Sequence, residues 1–280
     1  MKVTHIMRGE EFISSTPKFL SLYDALGITR PEIATMPVIL GADGNKKLGK
    51  RDGAKDLLTY RDEGYLPEAM VNFLAFLGWN PGTEQELLSP AELIAQFDLE
   101  RVQSSGARFD ETKLLHINRE WMRKLTDEEY LAALQFEVPS TERLMKLVPE
   151  LKERAHTFGE ACAMLADELR YIFEVPYIER TQLVAKEVDG KHNTAEHLRE
   201  VRSRLEQLPE GTGVEGIKLA LMPYADAVTK EDGGRGAVLW PLRYALSGKD
   251  RSPDPFTLIH ILGLHEAVSR IDAALGILEQ

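Results

Sequence analysis

The stretch Pro37-Val38-Ile39-Leu40-Gly41-Ala42-Asp43-Gly44-Asn45-Lys46-Lys47-Leu48-Gly49-Lys50-Arg51-Asp52-Gly53 decides how the first part of this sequence is interpreted. Its first five residues form an apolar run that predicts a buried strand, and the next four predict a turn. A basic loop follows, and Lys55 completes five cations within ten positions. Because ligands of α/β folds collect at the carboxyl ends of strands, this loop is a candidate anion site.

The basic loop belongs to an acidic protein, since the 280 residues carry a formal net charge of −11. A multiply charged anion, such as a phosphate, is the simplest ligand for a local cluster of cations. Gly44 and Gly53 flank the cluster, and glycine allows the backbone to turn tightly beside a ligand. A solvated lysine-rich turn without any ligand explains the same composition, so composition alone leaves both interpretations open.

Length and composition indicate a globular protein of one or two domains, because 43% of the 280 residues are hydrophobic. We find no apolar run long enough to span a bilayer and no apolar signal core, so we expect a cytoplasmic protein without membrane contact.

The single cysteine, Cys162, has apolar helical neighbours and is expected to be a buried small hydrophobe. The seven histidines are scattered, so we expect no zinc or other metal site.

The first 60 residues contain both strand and helix signals, and the signals after residue 60 are mainly those of helices. Val3–Met7 predicts a strand, and a helix is predicted from Thr16, with proline next, to Gly27. Capping patterns at Ser89, Thr126 and Thr157 predict the starts of three further helices. Other helices are predicted from Pro67 to Leu77 and near residues 141–148, 194–207, 214–228, 237–246 and 256–278.

Two groups of charged residues have both a functional and a structural interpretation. Arg8 and Glu11 follow the first predicted strand, where arginine can bind a carboxylate and glutamate can accept from ribose hydroxyls or an amine. A surface ion-pair turn explains the same residues. Arg243 lies among apolar helical neighbours and therefore needs a partner, which can be an internal carboxylate or RNA.

Several separate stretches, in a constant order, closely resemble the bacterial glutamyl-tRNA synthetases, which are class I aminoacyl-tRNA synthetases. The resemblance spans nearly the whole chain. It is carried by Thr4–Pro17, Leu22–Gly27, the basic loop, Tyr65–Ala69, Leu77–Trp79 and Trp240–Gly248.

The resemblance implies a mainly α fold with a small α/β remnant of a Rossmann-type catalytic domain. Helical stem-contact and all-helical anticodon-binding domains follow this remnant. The implied domains cover residues 1–60, 61–125 and 126–280.

By this resemblance the basic loop is the family's KMSKS-type element, in which Gly49 replaces a hydroxyl residue. The resemblance implies that Lys50, assisted by Lys47 and Arg51, neutralises charge that develops on a triphosphate. Glu11 and Lys50 would contact ATP, and Arg8 would hold the glutamate substrate. The missing hydroxyl should weaken ATP handling, because a hydrogen bond to a charged group contributes roughly 1.5–3 kcal/mol.

The resemblance also implies the partners. ATP would bind with Mg²⁺, and tRNA(Glu) would bind through its anticodon, for which Arg243, Arg154 and Arg235 are the candidate contacts. Whether tRNA(Gln) is a second substrate stays open, as does pairing with a separate N-terminal half of the enzyme.

Three hypotheses remain because the family's HIGH motif and the first half of its nucleotide-binding fold lie upstream of Met1. The segment His260–His265 has similar letters at the wrong spacing. The first hypothesis is a portion of a glutamate–tRNA ligase that is inactive by itself. The alternative is a free-standing, non-catalytic tRNA-binding module, and an acidic helical scaffold is a third possibility. An incomplete sheet also predicts disorder or pairing with another chain within residues 1–60.

Overall fold

The computed structural model describes residues 2–44, 46–49, 54–185 and 193–279. Within these ranges the chain is mainly helical, with a small parallel-strand α/β segment near the N-terminus, which confirms the predicted fold class. The strands are β1 (His5–Gly9), β2 (Glu32–Met36), β3 (Ile39–Leu40) and β4 (Ala107–Arg108). The helices are α1 (Thr16–Leu26), α2 (Leu57–Asp62), α3 (Pro67–Ala75), α4 (Pro90–Gln96), α5 (Glu111–Lys124), α6 (Asp127–Ala133), α7 (Thr141–Arg154), α8 (Phe158–Ala166), α9 (Arg180–Leu183), α10 (Thr194–Leu205), α11 (Val214–Ala227), α12 (Arg235–Ser247), α13 (Pro255–Leu262) and α14 (Leu264–Leu278).

The chain divides into two compact units. The first contains residues 1–126 and 152–161, and the second contains residues 127–151 and 162–280. None of the helices in the described ranges is both long enough and apolar enough to cross a membrane. The three predicted domain boundaries remain a proposal.

The first unit begins with a β–α–β segment. β1 and β2 pair in parallel, from His5 opposite Glu32 to Gly9 opposite Met36, and α1 connects them. α1 begins at Thr16 as predicted and ends at Gly27, whose φ of 62° is a left-handed conformation that suits glycine. The first strand lies two residues later than predicted, and β2 was not predicted from the sequence.

β3 departs from the sequence prediction in its burial. The run Pro37–Gly41 was predicted to be a buried strand, but only Ile39 and Leu40 form a strand and Ile39 is 39% exposed. β3 pairs in parallel with the two-residue β4, and side-chain exposure depends on what packs on the face of a strand and not on its edge pairing. β4 itself lies beyond residue 60, where strand signals fade in the sequence.

None of the described residues among the first 49 is fully buried. Many of the large apolar side chains there are exposed, including Val3, Met7, Phe12, Ile13, Phe19, Leu22, Leu26, Ile28 and Ile33. A segment that buries so little apolar surface gains little stability from it. The predicted disorder or pairing of this segment stays a prediction.

The hydrophobic core of the first unit lies between α2, α3 and α5. Tyr60, Phe73 and Leu114 are among its buried side chains. Two buried amides join the surrounding segments. Asn118 Oδ1 accepts from the Leu66 backbone N–H at 2.8 Å, while Asn72 Oδ1 accepts from the Leu88 N–H and the Trp121 indole, both at 3.0 Å. These bonds satisfy polar groups that would otherwise destabilise the core.

Several helix ends follow the sequence signals and others do not. At Ser89 both hydrogen bonds of the capping box with Glu92 are present. α7 continues past Pro149 to Arg154, beyond the predicted end near residue 148. The single helix predicted over residues 256–278 is two helices, because Gly263 has a φ of 86° and interrupts the helical backbone between α13 and α14.

Arg270 is a buried cation in the second unit, where α10, α12, α13 and α14 pack together. Its guanidinium donates to the Leu246 carbonyl at 2.6 Å, to the Glu174 carbonyl at 3.2 Å and to Glu266 Oε1 at 2.8 Å. Burial lowers the pKa of Arg270. Burial alone would raise the pKa of Glu266, but the hydrogen bond and charge of Arg270, with the charge of Arg143, leave it lowered.

We predict that Arg270→Met lowers the free energy of unfolding by about 3 kcal/mol, because it leaves Glu266 and two carbonyls without their donor. Urea titration followed by circular dichroism measures this change. The matched control is Arg199→Met, whose exposed pair with Glu279 should contribute less than about 1 kcal/mol. Because the pKa of Glu266 is lowered, the stabilisation from its pairing is present above its unfolded-state pKa and is lost as pH falls through the folded value. Equal effects of the two substitutions would contradict this role of Arg270.

Candidate functional site

The first part of the basic loop folds back against β3. The Gly41 N–H donates to the Lys46 carbonyl and the Leu48 N–H donates to the Ile39 carbonyl, both at 2.8 Å. These bonds form an antiparallel bridge between Leu40 and Lys47. Gly44 provides the turn with a φ of 71°, as its position in the sequence suggested. Lys47 is therefore held directly beside the carboxyl end of β3.

Lys47 and Glu11, two of the predicted site residues, meet in space although they are 36 positions apart. Lys47 Nζ lies 2.9 Å from Glu11 Oε1. This hydrogen bond, with one from the Glu11 backbone, holds the pKa of the Glu11 carboxyl below its usual value. The Glu11 carboxylate lies close to Gly9, since a Cβ placed there would contact Glu11 Oε2.

Arg8 lies on β1 with its guanidinium 4.4 Å from the centre of the Phe12 ring. It lines an open cavity of about 320 Å³ whose other walls include Ile6, Phe19 and Ile33. The side chain is exposed, so it is accessible to an anionic ligand. Its proposed contact with a substrate carboxylate remains a proposal.

Lys55 belongs to the basic cluster in the sequence but has internal partners in the structure. Its Nζ lies 3.1 Å from Glu63 Oε2 and 3.7 Å from Glu111 Oε1. The hydrogen bond to Glu63 raises the pKa of Lys55. The Tyr60 hydroxyl donates to the same Glu111 oxygen at 3.2 Å, so Lys55 joins a cluster of polar groups beside the start of α2.

The structure describes some of the other residues of the predicted loop and leaves others outside the described ranges. Lys50 and Arg51, with Asp52 and Gly53, lie outside the described residues. Gly49 is described, and its carbonyl accepts from the Ala54 N–H at 3.3 Å. Lys46 is exposed at the start of the loop.

The arginines predicted to contact tRNA have partners within the chain. Arg243 donates to the Asp250 carbonyl at 2.7 Å and lies 5.0 Å from the centre of the Trp240 ring. Arg235, also on α12, forms an ion pair with Asp226. Arg154 is half-buried at the end of α7, in the first unit. Arg235 and Arg243 thus lie on the same helix, α12, whereas Arg154 lies on α7.

Arg108 is a residue that the sequence analysis missed. It lies on β4, directly opposite Leu40 in the pairing with β3, and its guanidinium lies against Gly44. Only the pairing of residues 68 positions apart brings it to the loop, so no local pattern indicated it. Cys162 is half-buried rather than fully buried, and its partial burial raises the pKa of the thiol.

Metal ligands do not converge in the part of the chain that the structure describes. Within it, no group of three or more His, Cys, Asp or Glu side chains is placed to hold an ion.

Two family models match consecutive parts of the chain. Residues 1–116 match the catalytic domain of class I tRNA synthetases for E and Q, and residues 117–275 match an anticodon-binding domain.

Curated relatives match almost the whole chain. The glutamate–tRNA ligase of Akkermansia muciniphila is 38% identical over 277 residues, which are 97% of this chain and 60% of the relative. The glutamate–tRNA ligase of Thermodesulfovibrio yellowstonii is 37% identical over 283 residues, with 97% of this chain and 58% of the relative covered. The chain therefore spans about three fifths of the length of these relatives.

A solved structure has the same fold over the same extent. The crystal structure of a glutamate tRNA ligase from Elizabethkingia meningosepticum, in complex with its amino acid, has a TM-score of 0.80 and 33% sequence identity. The match covers 99% of this chain and 58% of that one.

We predict that Lys47→Met raises the pKa of the Glu11 carboxyl towards its ordinary value, because the ammonium that stabilises the carboxylate is lost. Titration of the Glu11 side-chain carboxyl carbon by NMR measures this pKa. Lys46→Met is the control, since it removes the neighbouring exposed charge and leaves the Glu11 pair intact. An unchanged Glu11 pKa in Lys47→Met would show that the ion pair is absent in solution.

Proposed function

This chain belongs to the glutamate–tRNA ligase family of class I aminoacyl-tRNA synthetases, and from that premise we propose that it carries the ATP-side loop and the tRNA-binding helices of such a ligase. The observation that supports the loop assignment best is the 2.9 Å ion pair between Lys47 and Glu11 at the carboxyl end of β3. It joins Glu11, to which the family resemblance assigns contact with ATP, and Lys47, to which it assigns assistance in neutralising charge on the triphosphate. The proposed location is the cytoplasm.

The proposed reaction has two steps. The glutamate carboxylate attacks the α-phosphorus of ATP, which forms glutamyl-adenylate and releases pyrophosphate. A 3′-terminal ribose hydroxyl of tRNA(Glu) then attacks the activated carbonyl carbon, which forms the ester and releases AMP. No covalent bond to the protein is needed, so the protein acts through positioning and charge stabilisation.

In the first step, cations of the loop act on the phosphates. We assign Lys47, Lys50 and Arg51 to neutralising charge that develops on the leaving pyrophosphate. Mg²⁺ would arrive bound to the ATP phosphates, and the described residues offer no cluster of carboxylates to hold it independently. Arg8 would bind the glutamate side of the reaction, where its exposed guanidinium lines the 320 Å³ cavity.

The ion pair suggests how the loop and nucleotide exchange partners. In the structure, Glu11 neutralises Lys47 at 2.9 Å. Phosphate oxygens carry more negative charge and compete for the ammonium, which frees the Glu11 carboxylate to accept from ribose hydroxyls or an amine. Both residues would then serve the same ligand.

The exposed apolar face of the first 49 residues supports a further proposal. In the relatives, about two fifths of the length lies outside the match to this chain. We propose that the remaining part of a ligase catalytic domain packs against side chains such as Phe19, Leu22 and Ile33, which are 40–54% exposed. By this proposal, a polypeptide of these 280 residues has half of the active site and is inactive by itself.

For the helical region we propose tRNA binding, with Arg154, Arg235 and Arg243 as contacts. The match of residues 117–275 to an anticodon-binding domain supports this role. tRNA(Glu) is the proposed partner, and tRNA(Gln) stays open as a second one. A second candidate function, a non-catalytic tRNA-binding module, is favoured by one observation, the absence of a hydroxyl at Gly49.

We predict that the 280-residue polypeptide alone shows no glutamate-dependent exchange between ATP and pyrophosphate. Joining it to the N-terminal part of the Akkermansia muciniphila relative, up to the residue that aligns with Met1, should give a chimera that aminoacylates tRNA(Glu). Robust exchange by the 280 residues alone contradicts the proposed division of the active site. A folded chimera that binds tRNA but forms no glutamyl-tRNA supports the non-catalytic module instead.

We predict that Gly49→Ser in this chimera increases kcat/KM for ATP roughly 10- to 100-fold, because one hydrogen bond to a charged group contributes roughly 1.5–3 kcal/mol. Gly49→Ala is the matched control, since it adds the same Cβ and the same backbone restriction without the hydroxyl. Steady-state exchange kinetics at varied ATP concentration distinguish them. If both variants change kcat/KM equally, the missing hydroxyl does not limit ATP handling.

A further inference from the structure

β3 is the middle of three paired segments, and this places two cations near each other. On one edge of β3, Leu40 bridges Lys47 in antiparallel orientation. On the other edge, Leu40 lies opposite Arg108 of β4 in parallel register, and the Phe109 N–H donates to the Leu40 carbonyl at 2.9 Å. Residues that lie directly opposite each other in a sheet project from the same face. Lys47 and Arg108 therefore flank Leu40 on one face.

The separation of these two cations follows from sheet geometry. Neighbouring strands lie about 4.8 Å apart, so the Cα atoms of Lys47 and Arg108 are about 10 Å apart, with Leu40 between them. Both side chains are long and exposed. They can therefore converge on one extended anion above Leu40.

The position of the Arg108 guanidinium brings it to the turn that begins the basic loop. A Cβ placed on Gly44 would lie 2.4 Å from Arg108 Nη2 and 3.0 Å from Nε. The guanidinium thus lies against the Gly44 backbone, which has a φ of 71°. The left-handed φ of this residue favours glycine, and the turn and Arg108 form one surface.

The charge balance distinguishes Arg108 from Lys47 and Lys55, which both have carboxylate partners. Glu11 neutralises Lys47, and Glu63 with Glu111 neutralises Lys55. In the described part of the chain, no carboxylate lies within ion-pair distance of Arg108. In a protein of net charge −11, a guanidinium at the loop therefore keeps its full positive charge for an external anion.

We infer that Arg108 is a second phosphate-binding residue of this site, contributed by β4 and not by the loop, and that it binds the triphosphate of ATP together with Lys47. A planar guanidinium suits this role because it can donate two parallel hydrogen bonds to phosphate oxygens. The inference rests on the proposed function of the loop. It adds a residue more than 50 positions beyond the loop.

The test measures binding of two probes, Mg²⁺–ATP and inorganic tripolyphosphate, to the full 280-residue chain by isothermal titration calorimetry. We expect Arg108→Ala to weaken both roughly 10- to 100-fold, as the loss of a charge-assisted hydrogen bond predicts. Arg108→Lys should retain part of the affinity, because it keeps the charge and loses the paired donors. The control is Arg61→Ala, which removes an exposed arginine of the same unit that pairs only locally with Asp62 at 2.9 Å.

Four other outcomes would contradict the inference about Arg108, and one of them would also contradict the proposed function of the loop. If the unaltered chain binds both probes and Arg108→Ala binds them equally well, the inference is wrong and the proposed loop function stands. If neither the unaltered chain nor its chimera with the N-terminal part of the Akkermansia muciniphila relative binds either probe, the ATP-side function and this inference fail together. If Arg108→Ala weakens only tRNA binding, measured by filter retention, the residue contacts RNA and not ATP. If it changes only self-association, Arg108 merely protects an edge strand from pairing, and the inference is wrong.

Discussion

The backbone pairing of β3 on both of its edges is the constraint on which the candidate site depends. β3 has only two residues, yet one edge holds the first part of the basic loop through Leu40 and Lys47, and the other edge holds β4. Because paired residues share a face, this arrangement sets where the cations of the site project. Without it, Lys47 would not lie beside Glu11, and Arg108 would have no relation to the loop.

Burial divides the described chain unevenly. The helical core of the first unit is well packed around Tyr60, Phe73 and Leu114, whereas the segment before residue 50 has no fully buried side chain among its described residues. The α/β segment therefore has secondary structure without a core of its own. Its exposed apolar face is consistent with a role as part of a larger catalytic domain, in which further chain would remove that surface from water.

Internal ion pairs use much of the positive charge that the sequence places near the candidate sites. Lys55 pairs with Glu63 and Glu111 beside the start of α2, and Arg235 pairs with Asp226. Exposed pairs of this kind contribute little to stability and exchange partners readily. A strongly anionic ligand can therefore displace Glu11 from Lys47 at small energetic cost, whereas Arg270, buried in the second unit, is committed to the fold.

The sequence by itself determined the family, the mainly helical fold and the local signals, because capping residues, glycine turns and ordered motifs act over a few positions. The end of α1 at Gly27 and the capping box at Ser89 follow directly from such signals. Gly263 was the local signal that was missed, and it divides one predicted helix into two. Only the tertiary structure decided that Lys47 pairs with Glu11, that Lys55 is used internally and that Arg108 reaches the loop. Each of these contacts joins separate segments of the chain, and their meeting depends on strand pairing and core packing, which local patterns do not encode.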